Sequence, residues 1–354
     1  MGKIRIGTRE SHLAIWQATQ VKNLLADNGH ESELVFIKSE GDIDLVTPLY
    51  DIGVEGIFTR SLDAALLSDK IDVAVHSMKD VPVQLAKGVR QAAVLKRGSH
   101  KDILVPHPDL SDVNPLLGQD VIAQRQVTFR QGGSKTTQTS QTTYENTGEK
   151  VDAIIATSSI RRIAQWSRRY PHHKIENLRG NVNTRLRKLK ESNWHGAIFA
   201  AAGLERIGLR PKNAIELDWM LPAPAQGAII VVCREDDHHA FESCQLLNDE
   251  ETALCTKIER DFLSALLGGC STPISAFAEV KNGNVHFKGN IVSPDSYHMA
   301  ECNSEYPLAS ADPRLWKRLQ ILRGPIQDLG LRAAKDILAN GGQVIIDEMK
   351  NATK

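Results

Sequence analysis

The feature that most constrains this chain is an alternation of strand-like and helix-like segments, which runs through the first hundred residues and starts again near residue 152. "KIRIGT" (3–8) reads as a strand. "SHLAIWQATQVKNLLADNG" (11–29) sets apolar residues at helical spacing and stops at Asn28-Gly29. "ELVFIKS" (33–39), "IDVAVHS" (71–77) and "VRQAAVLKR" (89–97) read as further strands, with "TRSLDAALLSDK" (59–70) as a helix between them. Strands that alternate with helices build an open sheet, parallel at least in part, because each helix carries the chain back over the sheet.

The second round comprises "DAIIAT" (152–157), "SSIRRIAQWSRRY" (158–170), "KIENLRG" (174–180), "NVNTRLRKLKES" (181–192) and "GAIFAAAGLERIGL" (196–209). They read as strand, helix, strand, helix, and strand running into helix. "LPAPAQGAIIVVCRED" (221–236) joins a proline-rich crossover to a buried-strand pattern that can return to the first sheet. Beyond about residue 248 come a helix (249–269), two strands (274–280 and 285–293) and a last helix (330–341). A chain of 354 residues is too long for one ordinary core. The expected architecture is α/β, with two open-sheet domains and a smaller α+β C-terminal domain. Domain 1 covers 1–100 plus about 226–246, domain 2 covers 101–225, and domain 3 covers 247–354. Domain 2 carries a polar insertion near 119–149. Its part from Gln131 to Glu149 draws 15 of 19 residues from Gln, Ser, Thr, Gly and Asn, too polar to build a core.

Bulk properties exclude several classes. Lys plus Arg equals Asp plus Glu at 43 each, which argues against a general nucleic-acid binder. No run approaches the roughly 18 to 20 apolar residues of a membrane helix. Charges interrupt any signal-like stretch near the N-terminus, so a cytoplasmic protein is expected. The five cysteines (233, 244, 255, 270, 302) are an odd number with no C-x-x-C pair and no zinc spacing, so reduced thiols and no metal are expected.

Ligands of open α/β sheets bind at the carboxyl ends of strands, where loops lead into helix N-termini. Four such junctions carry hydroxyls or free backbone N–H groups beside a cation: "GTRES" (7–11), "HSMKD" (76–80), "TSSIRR" (157–162) and "LRGNVNTR" (178–185). From Ser158 to Glu191 positive charges exceed negative ones by eight. A single Arg at a helix start is ordinary surface. Four junctions in two domains point to an anion-lined cleft between them. Two readings stay open for Asp80: a turn cap, or a lone acid/base among cations. Two also stay open for Cys270 in "LLGGCSTPISA": a small buried hydrophobe, or a thiol presented for covalent attachment on a turn that Gly268 and Gly269 free.

"GTRESHLAIWQA", "HSMKDVP", "ATSSIRR", "LRGNVNTRL", "AAAGLERIGL", "PAPAQGA" and "GGCSTPI" occur in the order found in the porphobilinogen deaminase (hydroxymethylbilane synthase) family, and the chain resembles that family over nearly its whole length. The resemblance implies two domains like the halves of a periplasmic binding protein, and a third whose Cys270 forms a thioether to a dipyrromethane cofactor. The implied transferase reaction joins four porphobilinogen molecules head to tail with loss of ammonia, and water then releases hydroxymethylbilane for haem-type tetrapyrrole synthesis. By the same resemblance Lys79, Ser159, Arg161 and Arg162 hold cofactor carboxylates. Arg9, Ser11, Arg179, Arg185 and Arg206 hold porphobilinogen and its linear oligomers, and Gln17 and Phe58 line the cleft. Asp80 contacts the pyrrole nitrogens, helps expel ammonia and stabilises the cationic intermediate. A monomer without nucleic-acid or membrane partners is implied.

One departure stands out. Asp51 and Glu55 occupy places where many family members carry lysines, on a loop that the resemblance puts over the cleft. A solute-binding protein with the same two-lobed fold would have no use for Cys270.

Overall fold

The computed structural model describes residues 2–38, 59–109, 152–266, 272–308, 326 and 328–352. The 131–149 segment, Asp51, Glu55, Phe58 and Cys270 lie outside the described residues.

The first sheet contains β1 (Ile4–Thr8), β2 (Ser32–Phe36), β3 (Val73–Ser77), β4 (Val89–Val94) and a late-coming strand, β10 (Ile229–Arg234). Its order is β2-β1-β3-β10-β4. β1 runs parallel to β2 and β3, while β10 is antiparallel to β3 and β4. Both faces are covered. Ile6, Val75 and Val231 pack with α1 (His12–Asp27), and Ala74, Ile230 and Val232 pack with α2 (Arg60–Leu67). Burial on both faces explains why the central β3 and β10 read as near-continuous apolar runs.

The second sheet contains β5 (Asp102–Pro106), β6 (Ile154–Ala156), β7 (Lys174–Glu176), β8 (Gly196–Ala200) and β9 (Ile215–Glu216). Its order, β7-β6-β8-β5-β9, repeats the first plan, with parallel pairs beside β6 and the antiparallel β5 in fourth place. The helices are α3 (Ile160–Arg169), α4 (Val182–Glu191) and α5 (Ala201–Arg206). Trp166 of α3 is fully buried against Tyr170 at 4.9 Å between ring centroids.

Two crossovers, 95–101 and 217–228, join the sheets: the chain leaves the first sheet after β4, builds the whole second sheet, and returns to add β10 to the first. The crossovers meet backbone to backbone where the Gly98 N–H donates to the Gly227 carbonyl at 3.0 Å. Gly227 has φ +87°, and a Cβ there would sit 2.6 Å from the Ser99 oxygen, so the approach needs glycine.

α6 (His238–Gln245) covers the first sheet, burying Ala240 and Cys244 in its core. The third domain follows with α7 (Glu250–Ala265), capped by Asp249 accepting from the Thr252 N–H and carrying Glu250 and Glu251 in its first turn. A three-stranded antiparallel sheet, β11 (Ile274–Lys281), β12 (Asn284–Val292) and β13 (Met299–Pro307), packs on it. α8 (Leu329–Ile337) lies so close to α7 that a Cβ on Gly330 would stand 2.1 Å from the Ile258 carbonyl oxygen. α9 (Gln343–Ala352) closes the described chain. Among the described residues no helix is long and apolar enough to cross a membrane.

The strand read at 174–180 is shorter, ending at Glu176. Strands β5 and β13 were not legible. β5 opens on a charged residue, and one face of β13 is wet, so Glu301, Asn303 and Glu305 interrupt its apolar pattern.

Candidate active site

The carboxyl ends of β1 and β3 lie side by side, since Ile6 pairs with Val73 and Gly7 with Ala74 in parallel register. Arg9 and Ser11 leave the first end; Met78–Asp80 leaves the second as one turn of 3₁₀ helix. Ser11 caps α1, its hydroxyl accepting from the Ala14 N–H at 3.3 Å. Gln17, 2% exposed, donates from Nε2 to Ser77 Oγ at 2.8 Å and ties α1 to the end of β3. On the other lobe, Asn181 caps α4 by accepting from the Thr184 N–H at 3.0 Å, and Arg179 and Gly180 form the turn before it.

These ends enclose one cavity. Arg9, Ser11, Gln17, Lys79 and Asp80 line it from the first lobe, and Arg162, Arg179, Arg185 and Arg206 from the second. Among the described residues Asp80 is the only carboxylate in the lining, facing six cations. Arg206 spans the lobes, donating to the Gly227 carbonyl at 2.6 Å and lying 5.7 Å from the Trp16 ring centroid. Arg185 donates from Nε to the Gly180 carbonyl at 2.7 Å.

The electrostatics are those of crowded, poorly hydrated cations. Burial, helped by the charges of Arg162 and Arg161, lowers the Lys79 ammonium to about 8, with Asp80 and Asp102 pulling the other way. Burial, with Arg162 and Arg179 adding to it, takes Arg185 down to about 10, against the pull of Asp80. Burial alone brings Arg206 to about 10. An anionic ligand would relieve all three.

Beneath the cavity lies a residue that the sequence reading missed. Asp102, 0% exposed, opens β5 and accepts from Arg162 Nε at 3.0 Å and Arg162 Nη2 at 2.8 Å. Its other oxygen is 2.8 Å from Arg161 Nη1. Burial opposes ionisation of Asp102, but Arg161, Arg162 and Lys79 outweigh it and hold the carboxyl well below the usual range. Arg162 also donates to the Ile198 carbonyl, and Arg161 to the Leu221 carbonyl. Arg161 and Ser159 do not line the cavity. No local pattern in "KDILVP" marks its aspartate as the partner of arginines some sixty residues away.

Two family models match the chain. One, described as "Porphobilinogen deaminase, dipyromethane cofactor binding domain", covers residues 4–242. The other, "Porphobilinogen deaminase, C-terminal domain", covers 253–312. This chain belongs to the porphobilinogen deaminase family. A porphobilinogen deaminase of Syntrophomonas wolfei is 32% identical over 354 residues, covering 99% of this chain and all of that protein. One of Acidithiobacillus ferrooxidans is 33% identical and covers 99% of each. The chloroplastic porphobilinogen deaminase of rice is 38% identical over 314 residues, 86% of this chain and 78% of its own. Among solved structures, the methionine-binding protein MetQ overlaps with a TM-score of 0.38 at 14% identity, over 69% of this chain and 88% of MetQ.

Membership makes the enzyme a transferase of tetrapyrrole synthesis with a dipyrromethane cofactor. The donor set fits such a group: a cofactor bearing several carboxylates meets a cluster of buried cations around a single buried aspartate. Four of the five thiols are poor candidates for holding it. Cys233, Cys244, Cys255 and Cys302 are all buried in cores, and burial pushes Cys244 and Cys302 up to about 12.

Proposed function

We propose that this enzyme condenses four porphobilinogen molecules head to tail, losing ammonia at each step and releasing hydroxymethylbilane by hydrolysis. The observation that carries the reading is the lining itself, in which, among the described residues, six cations stand against Asp80 alone. Each porphobilinogen unit brings an acetate and a propionate, so a growing chain adds two carboxylates per step. Buried guanidiniums bind such groups with paired, charge-assisted hydrogen bonds.

The same reading assigns the roles. Lys79 and Arg162 hold the dipyrromethane from the cavity wall, with Arg161 and Ser159 supporting them from outside its lining, Arg161 through its ion pair with Asp102. When bound through Cys270, that group supplies the fixed end to which rings are joined, which makes each addition effectively intramolecular. Arg9, Ser11, Arg179, Arg185 and Arg206 orient the incoming pyrrole, with Gln17 shaping the cleft. Asp80, in the cavity lining, is the residue we assign to the pyrrole nitrogens. Its fixed negative charge stabilises the positive charge that develops on a substrate ring as ammonia departs, and it can take the proton released after the carbon–carbon bond forms. The buried cations cannot take that proton while they remain protonated. We assign the protein to the cytoplasm as a monomer, without nucleic-acid or membrane partners.

The test is mass spectrometry of the purified protein together with an assay for hydroxymethylbilane. The reading requires a mass excess of two pyrrole units on the peptide containing Cys270, lost in Cys270→Ser along with product formation. An active Cys270→Ser protein would sink it.

A further inference from the structure

His76 is a buried polar group that the reading above leaves without a task. It sits in the cavity lining at the carboxyl end of β3, 7% exposed, opposite Ile230 of β10. Its Nε2 is buried and has no hydrogen-bond partner among the described residues. An imidazole nitrogen left in that state costs free energy that an apolar side chain of similar size would not. The next residue, Ser77, is already engaged by Gln17. Arg9 leaves the neighbouring end of β1 into the same cavity. Burial, with the charge of Arg9 acting in the same direction, lowers the imidazole to about 4, so at neutral pH His76 is an uncharged ring with one N–H to give.

We propose that His76 is a positioning residue for the incoming pyrrole, donating from Nε2 to the ring carboxylate that Arg9 holds. The inference rests on the porphobilinogen reading. A carboxylate is the fitting partner because Asp80 already offers an acceptor to the ring N–H, while Arg9 draws an anion to the side of the cavity that His76 shares. The division of labour has a physical basis. Arg9 supplies long-range attraction, whereas a neutral imidazole adds a directional bond without adding a seventh cation to a crowded site. It therefore selects the orientation of the ring more than its charge.

The experiment is steady-state kinetics on the purified, cofactor-loaded enzyme and its His76→Leu, His76→Asn and His76→Gln variants, using porphobilinogen and its two monomethyl esters. Thermal midpoints are measured alongside. With porphobilinogen, His76→Leu should raise KM about tenfold or more while kcat falls less than about threefold, the pattern of a lost binding contact. His76→Gln can set an N–H close to the place of Nε2 and should stay within about threefold of the parent KM. His76→Asn sets its N–H nearer the backbone and should behave like His76→Leu, which keeps the comparison alive should the leucine variant fold poorly. On one of the two esters the penalty should vanish, and that ester identifies the carboxylate. An equal penalty on both esters, or a fall in kcat and thermal midpoint with KM unmoved and no rescue by glutamine, would overturn the assignment. A parent enzyme that makes no hydroxymethylbilane would instead overturn the reading on which the inference rests.

Discussion

Gln226 donates from Nε2 to Asp102 Oδ1 at 3.0 Å, joining the second crossover to the first strand of the second sheet. The same amide donates to the His100 carbonyl at 2.8 Å, and its oxygen accepts from Lys79 Nζ at 3.3 Å. One side chain thus connects a cation of the first lobe, both crossovers, and the carboxylate that anchors Arg161 and Arg162. The cation cluster and the joint between the lobes are one hydrogen-bonded unit.

Asp102→Asn should be costly, because it keeps the shape but leaves two buried guanidiniums without their counter-charge. Breaking a buried pair of this kind costs about 3 to 5 kcal/mol. The expected outcome is a lower urea midpoint and a reduced fraction of protein carrying the cofactor, read by intact mass. An unchanged midpoint would mean that the arginines find other partners.

Glu259 of α7 plays the matching role at the third domain. It accepts from Arg97 Nη1 at 2.6 Å and Nη2 at 3.1 Å, and from the Ala225 and Ala278 N–H groups at 2.6 and 2.7 Å. Ala225 has φ +61°, a strained conformation for a residue with a Cβ, so its bond to Glu259 helps hold that turn. Glu259→Gln should therefore lower stability by about 3 to 5 kcal/mol. Proteolysis should show earlier release of the third domain. Cleavage at the parental rate would contradict a clamping role.

Asp80→Asn should lower turnover at least about a hundredfold, since a positioned acid–base group contributes roughly 10²- to 10⁴-fold and the stabilising charge is lost as well. Substrate affinity should be largely kept, because the carboxylates rest on the cations. Single-turnover kinetics beside a binding measurement separates the two. A loss confined to affinity would remove Asp80 from the chemistry.

Lys79 gives a pH dependence of known sign. With its ammonium lowered to about 8 by burial, it is charged below that pH and neutral above it. Its attraction for carboxylates is therefore present on the acid side and lost as pH rises through about 8, with the loss delayed once an anion is bound. Loading of cofactor-free protein at limiting cofactor should fall between about pH 8 and 9 in the parent. It should fall less in Lys79→Arg, since a guanidinium keeps its proton. Parallel profiles for the two proteins would refute the assignment.

Most strands and helices, though not β5 or β13, were legible from the sequence alone because their signals are local. The runs that became β3 and β10 are apolar since both faces of their sheet are covered, and Ser11 and Asn181 mark helix starts through hydroxyl and amide caps. The cations at four strand ends were visible for the same reason, since each lies within a few residues of a recognisable junction. Three things needed the tertiary structure. Nothing near Asp102 announces Arg161 and Arg162, nothing near Glu259 announces Arg97, and nothing in "HSMKD" tells a buried imidazole from a surface one. Those pairings join residues far apart in sequence, and burial alone makes them strong. A carboxylate in water gains little from an arginine, whereas one removed from water must find it, and only the packed sheets decide which groups lose their water.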